Sequence, residues 1–197
     1  MAEIVSLKQL DLNGVYTYAD YLMWKLQERV ELIAGKIFKM SPAPALNHQA
    51  VSANLSGLFY VFFDGKPCKY YAALVDVILT NKDKKDNEIT TVVQPDLIVV
   101  CDPEKRKGRA CKGAPDLVVE ILSLSNSKRD LKIKYKLYEE NGVREYWIVN
   151  PRDKYIQQFV LEGKHFYLKD TYYKDDGDIA SVVFEGLSLP LEKVFNI

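Results

Sequence analysis

Leu117-Val118-Val119-Glu120-Ile121-Leu122 is an apolar run of strand length with a carboxylate inside it. Both alternating faces of the run are hydrophobic, so a strand here is covered on both sides. An ionised carboxylate in that setting loses solvation worth several kcal/mol unless a cation or hydrogen bonds replace the water. The run belongs to a longer stretch, Gly113 to Asn150, that reads as a buried strand, a basic helix and a second buried strand, one βαβ unit. Its helix starts near Ser127, with Asp130 three residues later, and stops at Asn141-Gly142. A chain built on such a unit needs a sheet with helices against it, and Glu120 needs a partner.

The rest of the chain supplies that setting. Thr17 and Asp20 are spaced as a capping box for a short helix to Trp24. Val30 to Ile33 and Lys36 to Met40 read as two short strands about Ala34-Gly35. Pro42 and Pro44 precede a helix over Leu46 to Phe63, whose Val51, Leu55, Leu58, Phe59 and Phe62 share one stripe. Tyr70 to Leu79 and Thr91 to Cys101 read as two more strands, separated by a polar loop over Asn81 to Glu88. Beyond Pro151, Tyr155 to Leu161 and His165 to Leu168 form a hairpin, and Val182 to Phe195 a final strand and turn. The order implies an α/β fold, a mixed sheet flanked by helices, with extra N-terminal strands and a C-terminal hairpin. A length of 197 residues suits one domain spanning 1–197.

Several functions are disfavoured by composition. A net charge of zero does not advertise a nucleic-acid binder, so local charge must carry that argument. The three cysteines, Cys68, Cys101 and Cys111, form no CxxC pair and are odd in number, which makes a disulfide improbable and fits a reduced, cytoplasmic setting. No secretion signal is visible, and no apolar run approaches the roughly 20 residues of a membrane-spanning helix. His48 and His165 are far apart, so a zinc site is not expected, and both read as structural. Trp24 and Trp147 read as packing residues, with nucleic-acid stacking the lesser reading.

Asp96, after Pro95, is a second carboxylate among apolar residues. It reads either as a cap or arginine partner at a strand edge, or as a ligand that meets Glu120 at a hard divalent cation. Asp116 repeats the Pro-Asp pair, but it lies four residues from Glu120 on one strand, roughly 13 Å at about 3.3 Å per residue. Bonds of about 2.1 Å to one Mg²⁺ do not span that gap, so Asp116 is expected at the strand entry or in an outer supporting role. On the basic helix, Lys134 borders the apolar face of Leu131, Tyr135 and Tyr138, in a row with Asp130 and Tyr138. It either reaches back to the sheet or joins Lys132 and Lys136 on a solvated face.

VVQPDLIVVCD, GAPDLVVEILS, the Asp130, Lys134, Tyr138 helix, GVREYWIVNP, ELIAGKIFKMSPAP and Asn47-His48-Gln49 together resemble the Uma-two family of restriction-endonuclease-like proteins, grouped with the PD-(D/E)XK nuclease superfamily. The resemblance extends over most of the chain from about Tyr16. It implies a restriction-endonuclease-like fold with an αβββαβ core and Mg²⁺-dependent cleavage of nucleic acid, with Mn²⁺ as a substitute. Carried over by residue, Asp96 and Glu120 are the acids, with the Ile121 carbonyl a further metal ligand. Glu120-Ile121-Leu122 has leucine where the superfamily expects lysine, and Lys134 is the migrated substitute. Glu31, in ELI-x-G, is an additional acid. Asp116, Asp130 and Tyr138 are expected to support the site without touching the metal.

The basic segments containing Lys105, Arg106, Lys107, Arg109, Lys112, Lys128 and Arg129 flank these residues in sequence and are candidates for phosphate contacts. Double-stranded DNA is the expected partner, and a homodimer would cut both strands. The alternatives are a catalytically inactive nuclease-fold module that binds nucleic acid or protein, and a Glu120–Lys134 ion pair serving structure alone.

Overall fold

The computed structural model describes residues 3–40, 45–80, 83–123 and 130–197. In chain order its strands are β1 (Val30–Ile33), β2 (Lys36–Lys39), β3 (Lys69–Ala72), β4 (Val77–Ile78), β5 (Val92–Val93), β6 (Leu97–Val100), β7 (Cys111–Lys112), β8 (Leu117–Ile121), β9 (Glu145–Asn150), β10 (Tyr155–Glu162), β11 (His165–Tyr173), β12 (Asp178–Ala180) and β13 (Ser188–Pro190). Its α-helices are α1 (Tyr18–Met23), α2 (Leu46–Phe63), α3 (Tyr135–Glu140) and α4 (Leu191–Val194).

A six-stranded sheet, ordered β11-β10-β9-β8-β6-β3, forms the centre, and a five-stranded sheet, ordered β2-β1-β5-β4-β7, lies beside it. In the large sheet β8 and β9 are parallel and the other pairs antiparallel. Side chains alternate across a strand, and the core divides accordingly. Leu97, Val99, Leu117, Val119 and Ile121 pack with Val51, Leu55, Phe59 and Phe63 of α2 and with the C-terminal segment. Ile98, Val100 and Val118 face the other way, toward Val77 and Val93 of the small sheet and Tyr138 of α3. Glu120 shares this second face by parity.

The Leu46–Phe63 helix, the Ala34-Gly35 hairpin and the Thr17 capping box form as the sequence predicts. The βαβ unit forms as well, with Gly142 at φ +79° after the Asn141 C-cap. Its predicted start at Ser127, with Lys128 and Arg129, lies outside the described residues. The described part opens as a π-helical turn over Asp130–Lys134 before α3.

Two predicted strands are each divided between the sheets. Tyr70 to Leu79 becomes β3 and β4, and Thr91 to Cys101 becomes β5 and β6. In the second case Pro95 offers no N–H to a ladder and interrupts it. The predicted strand at Val182 to Phe184 is also absent. The tail instead pairs β12 with β13 and ends in α4.

Glu145 ties that tail down. It is fully buried, and its Oε1 accepts from Trp147 Nε1 (2.7 Å) and Gln158 Nε2 (2.6 Å). Its Oε2 accepts from Ser181 Oγ (2.6 Å) and Val183 N (3.1 Å). Four donors replace the water this carboxylate has lost.

The cysteine expectation is corrected: Cys68 and Cys101 form a disulfide. The antiparallel β3–β6 register pairs Lys69 with Val100, and one step further sets Cys68 opposite Cys101. Strand pairing, which spacing and number do not reveal, brings them together. A reduced compartment therefore no longer follows from the cysteines.

Candidate active site

The register of β6 against β8 builds the site. Leu97 lies opposite Val119, so one step outward sets Asp96 against Glu120. Asp96 Oδ2 accepts from the Ile121 N–H at 2.7 Å. The N–H and C=O of one strand residue point to the same side, so the Ile121 carbonyl also lies on the side of Asp96. The break between β5 and β6 positions a third acid, because the Gln94 N–H donates to Glu31 Oε1 at 2.9 Å.

Lys134 joins these elements. Its Nζ lies 2.7 Å from Glu120 Oε1 and 3.0 Å from Glu31 Oε1, and all three residues are buried. Tyr138 OH donates to the same Glu120 oxygen at 2.6 Å. Burial, and next the Glu120 charge, push the Tyr138 hydroxyl well above its ordinary value, so it remains a donor. Leu122, where a lysine was expected, packs with the core instead. Lys134 thus pairs with two carboxylates, Glu31 and Glu120, while Asp96 stands opposite Glu120 in the register.

Asp96 is the accessible member, its side chain 21% exposed against 4% for Glu120. His48, from the first turns of α2, places Nε2 3.4 Å from Asp96 Oδ2. Its Nδ1 is buried with no hydrogen-bond partner among the described residues. From the sequence alone His48 reads as structural. The available signal was its place on the buried stripe of α2, one turn before Val51 and two before Leu55.

Other predicted members lie elsewhere. Asp116 is at the opposite end of β8, where it accepts from the Cys101 N–H (2.8 Å) and pairs with Arg144 (3.3 Å). It is a strand-entry residue and does not support the acids. Lys105 and Arg106 donate to backbone carbonyls at that same far end, Ala114 for Lys105 and Pro67 and Cys101 for Arg106. Lys107 pairs with Glu104, Lys112 with Asp86, and Arg109 lines a small cavity with Tyr71 and Cys111. The basic loop flanks the site in sequence but leaves β6 at the end away from Asp96, because a strand carries its two ends apart. Lys128, Arg129 and the side chain of Asp130 are outside the described residues. Lys132 and Lys136 are exposed, as predicted.

The family model described as "Putative restriction endonuclease", Uma2, matches residues 18–192. The chain belongs to the Uma-two family. An uncharacterized protein of Synechocystis is 32% identical over 164 residues, covering 81% of this chain and 75% of that protein. Its name assigns no activity. The crystal structure of a putative nuclease belonging to DUF820 from Anabaena variabilis superposes with a TM-score of 0.71 at 18% identity, covering 91% of this chain and 97% of that one. The mixed α/β fold expected from the sequence is therefore shared with a nuclease-like structure. In this Uma-two protein the residues quoted for the family resemblance, Glu31, His48, Asp96, Glu120, Lys134 and Tyr138, come from distant parts of the chain to one place.

Proposed function

We propose that this protein is a metal-dependent nuclease that hydrolyses phosphodiester bonds in DNA at the Asp96–Glu120 pair. The observation that carries the reading is the Lys134 ammonium on Glu120, in register with a partly exposed Asp96. Among the described residues no group of three or more His, Cys, Asp or Glu is arranged to hold a metal ion. Mg²⁺ does not need one, since it is commonly held by one or two carboxylates, with water and substrate phosphate completing the shell. Asp96, Glu120 and the Ile121 carbonyl fit that donor set.

Those groups would hold Mg²⁺, or Mn²⁺ in its place, which when bound polarises a phosphate and lowers the pKa of a water. The chain's own residues do the rest. The Ile121 N–H and His48 fix one oxygen of Asp96, which orients the carboxylate. Lys134 holds positive charge at Nζ beside Glu120, where negative charge develops as the phosphorus–oxygen bond breaks. Glu31 and Tyr138 hold Lys134 and Glu120 in place, so that charge needs no reorganisation during the reaction. Double-stranded DNA cut by a homodimer, one strand per copy, completes the proposal.

The test is cleavage of plasmid and oligonucleotide DNA by the purified protein in Mg²⁺, Mn²⁺ and EDTA. The proposal expects cleavage in the metals and none in EDTA. Metal-independent binding without hydrolysis in either ion would instead make the protein a non-catalytic module.

A further inference from the structure

A second feature adjoins the acids and has no part in the chemistry above. A cavity of about 220 Å³ is lined by Tyr21, Trp24, Glu28, Arg29, Val30 and Gln94, with Leu26. Two of its walls lead directly into the site. Val30 precedes Glu31, and Gln94 donates its N–H to Glu31 and stands two residues before Asp96. Typical pockets for whole drug-sized ligands measure roughly 300–1,000 Å³. This smaller cavity suits a single ring system.

Its walls combine aromatic surface with fixed polar groups. The Tyr21 and Trp24 rings lie with centroids 5.7 Å apart, and Trp24 is also braced edge-on by Tyr16 at 5.2 Å. The Gln94 amide is held on both sides: its Nε2 donates to Asp76 Oδ1 (2.8 Å) and Tyr21 OH (3.4 Å), and its Oε1 accepts from Arg29 Nη2 (3.1 Å). That bond anchors an exposed guanidinium at the rim through one nitrogen. Glu28, half-buried, places a carboxylate there as well. The Trp24 indole, with the Tyr21 ring tilted 55° against it, offers an aromatic face beside one donor-only group and one acceptor group, a combination that matches a nucleobase with its π-face and its edge of donors and acceptors.

We infer that this cavity is a base-binding subsite that receives one unpaired nucleobase next to the phosphate held at Asp96 and Glu120. The inference rests on the nuclease reading for its neighbour and adds a local condition to it, an unstacked base beside the phosphate that is cut. A base can enter only where it has left the stack, in a single strand or turned out of a duplex. Stacking then sets where the strand lies, and Arg29 and Glu28 read the base edge.

Trp24 makes the test direct, because Trp147 is fully buried in the core and Trp24 is not. Fluorescence of the full chain is titrated in Ca²⁺ with a short single-stranded oligodeoxynucleotide and with an abasic strand of the same length and charge. The inference expects quenching by the first and little by the second. Trp24→Ala should weaken binding roughly tenfold, as loss of one stacked base does, and Trp24→Phe should restore most of it. Arg29→Ala, at an exposed position where folding is not at stake, should weaken binding of the normal strand more than that of the abasic one. Equal quenching by both strands, or unchanged binding in both Trp24→Ala and Arg29→Ala, would overturn the inference. Base-dependent quenching without any cleavage in Mg²⁺ would keep the subsite and refute the nuclease. Cleavage with Trp24→Ala and Arg29→Ala indifferent to the base would do the reverse.

Discussion

Lys134 Nζ lies 2.7 Å from Glu120 Oε1, although the lysine closes a π-helical turn and the glutamate is inside a buried strand. Neither charge is tolerable there alone, since breaking a buried pair strands the remaining member. Lys134→Met keeps the length of the side chain and removes the ammonium that Glu31 and Glu120 both contact. Stability to urea should fall by about 3–5 kcal/mol. A loss under about 1 kcal/mol would mean that the ammonium does not hold the two acids.

His48 is a positioning residue in this account, touching Asp96 and no substrate. His48→Ala should reduce Mg²⁺ affinity by about 10–100-fold, the usual cost of losing a group that orients a metal ligand. Isothermal titration with Mg²⁺ measures it. His48→Gln, whose amide nitrogen can occupy nearly the same place as Nε2, should recover much of the loss. Equal affinity in all three proteins would show that His48 only packs.

Burial pushes the Cys111 thiol from an ordinary 9.0 up to about 11. The unfolded chain then loses this proton first as pH rises, so the unfolded state binds fewer protons and stability falls. The contribution is complete below pH 9 and is lost between pH 9 and about 11, roughly 2–3 kcal/mol in all. Guanidinium denaturation across this range should give a steeper fall for the wild type than for Cys111→Ala. Parallel curves would contradict it.

The parts of this fold governed by local pattern could be read from the chain. α2 has its stripe, β8 its double-sided apolar run, and Lys134 its helical spacing from Tyr138. What failed depended on pairings between distant segments. Nothing near Ala73 marks the point where one apolar stretch passes from the large sheet to the small one. Cys68 meets Cys101 only through the β3–β6 register, and Glu145 draws three of its four donors from β10 and the C-terminal tail. Lys105 and Arg106 were placed beside the acids by sequence proximity, whereas β6 carries them to its other end. His48 sits on the buried stripe of α2, but that position reads equally as core packing until the fold puts Asp96 against it.

The most direct test compares single-turnover cleavage of DNA in Mg²⁺ by the wild type, Glu120→Gln and Asp96→Asn, with folding of each checked by thermal melting. Both substitutions keep the size of the side chain and remove a ligand charge. The account predicts that the wild type cuts and that each folded variant loses activity by about 10²–10³-fold, as removal of a principal charge-stabilising group does. Cleavage by folded Glu120→Gln at the wild-type rate would contradict the site.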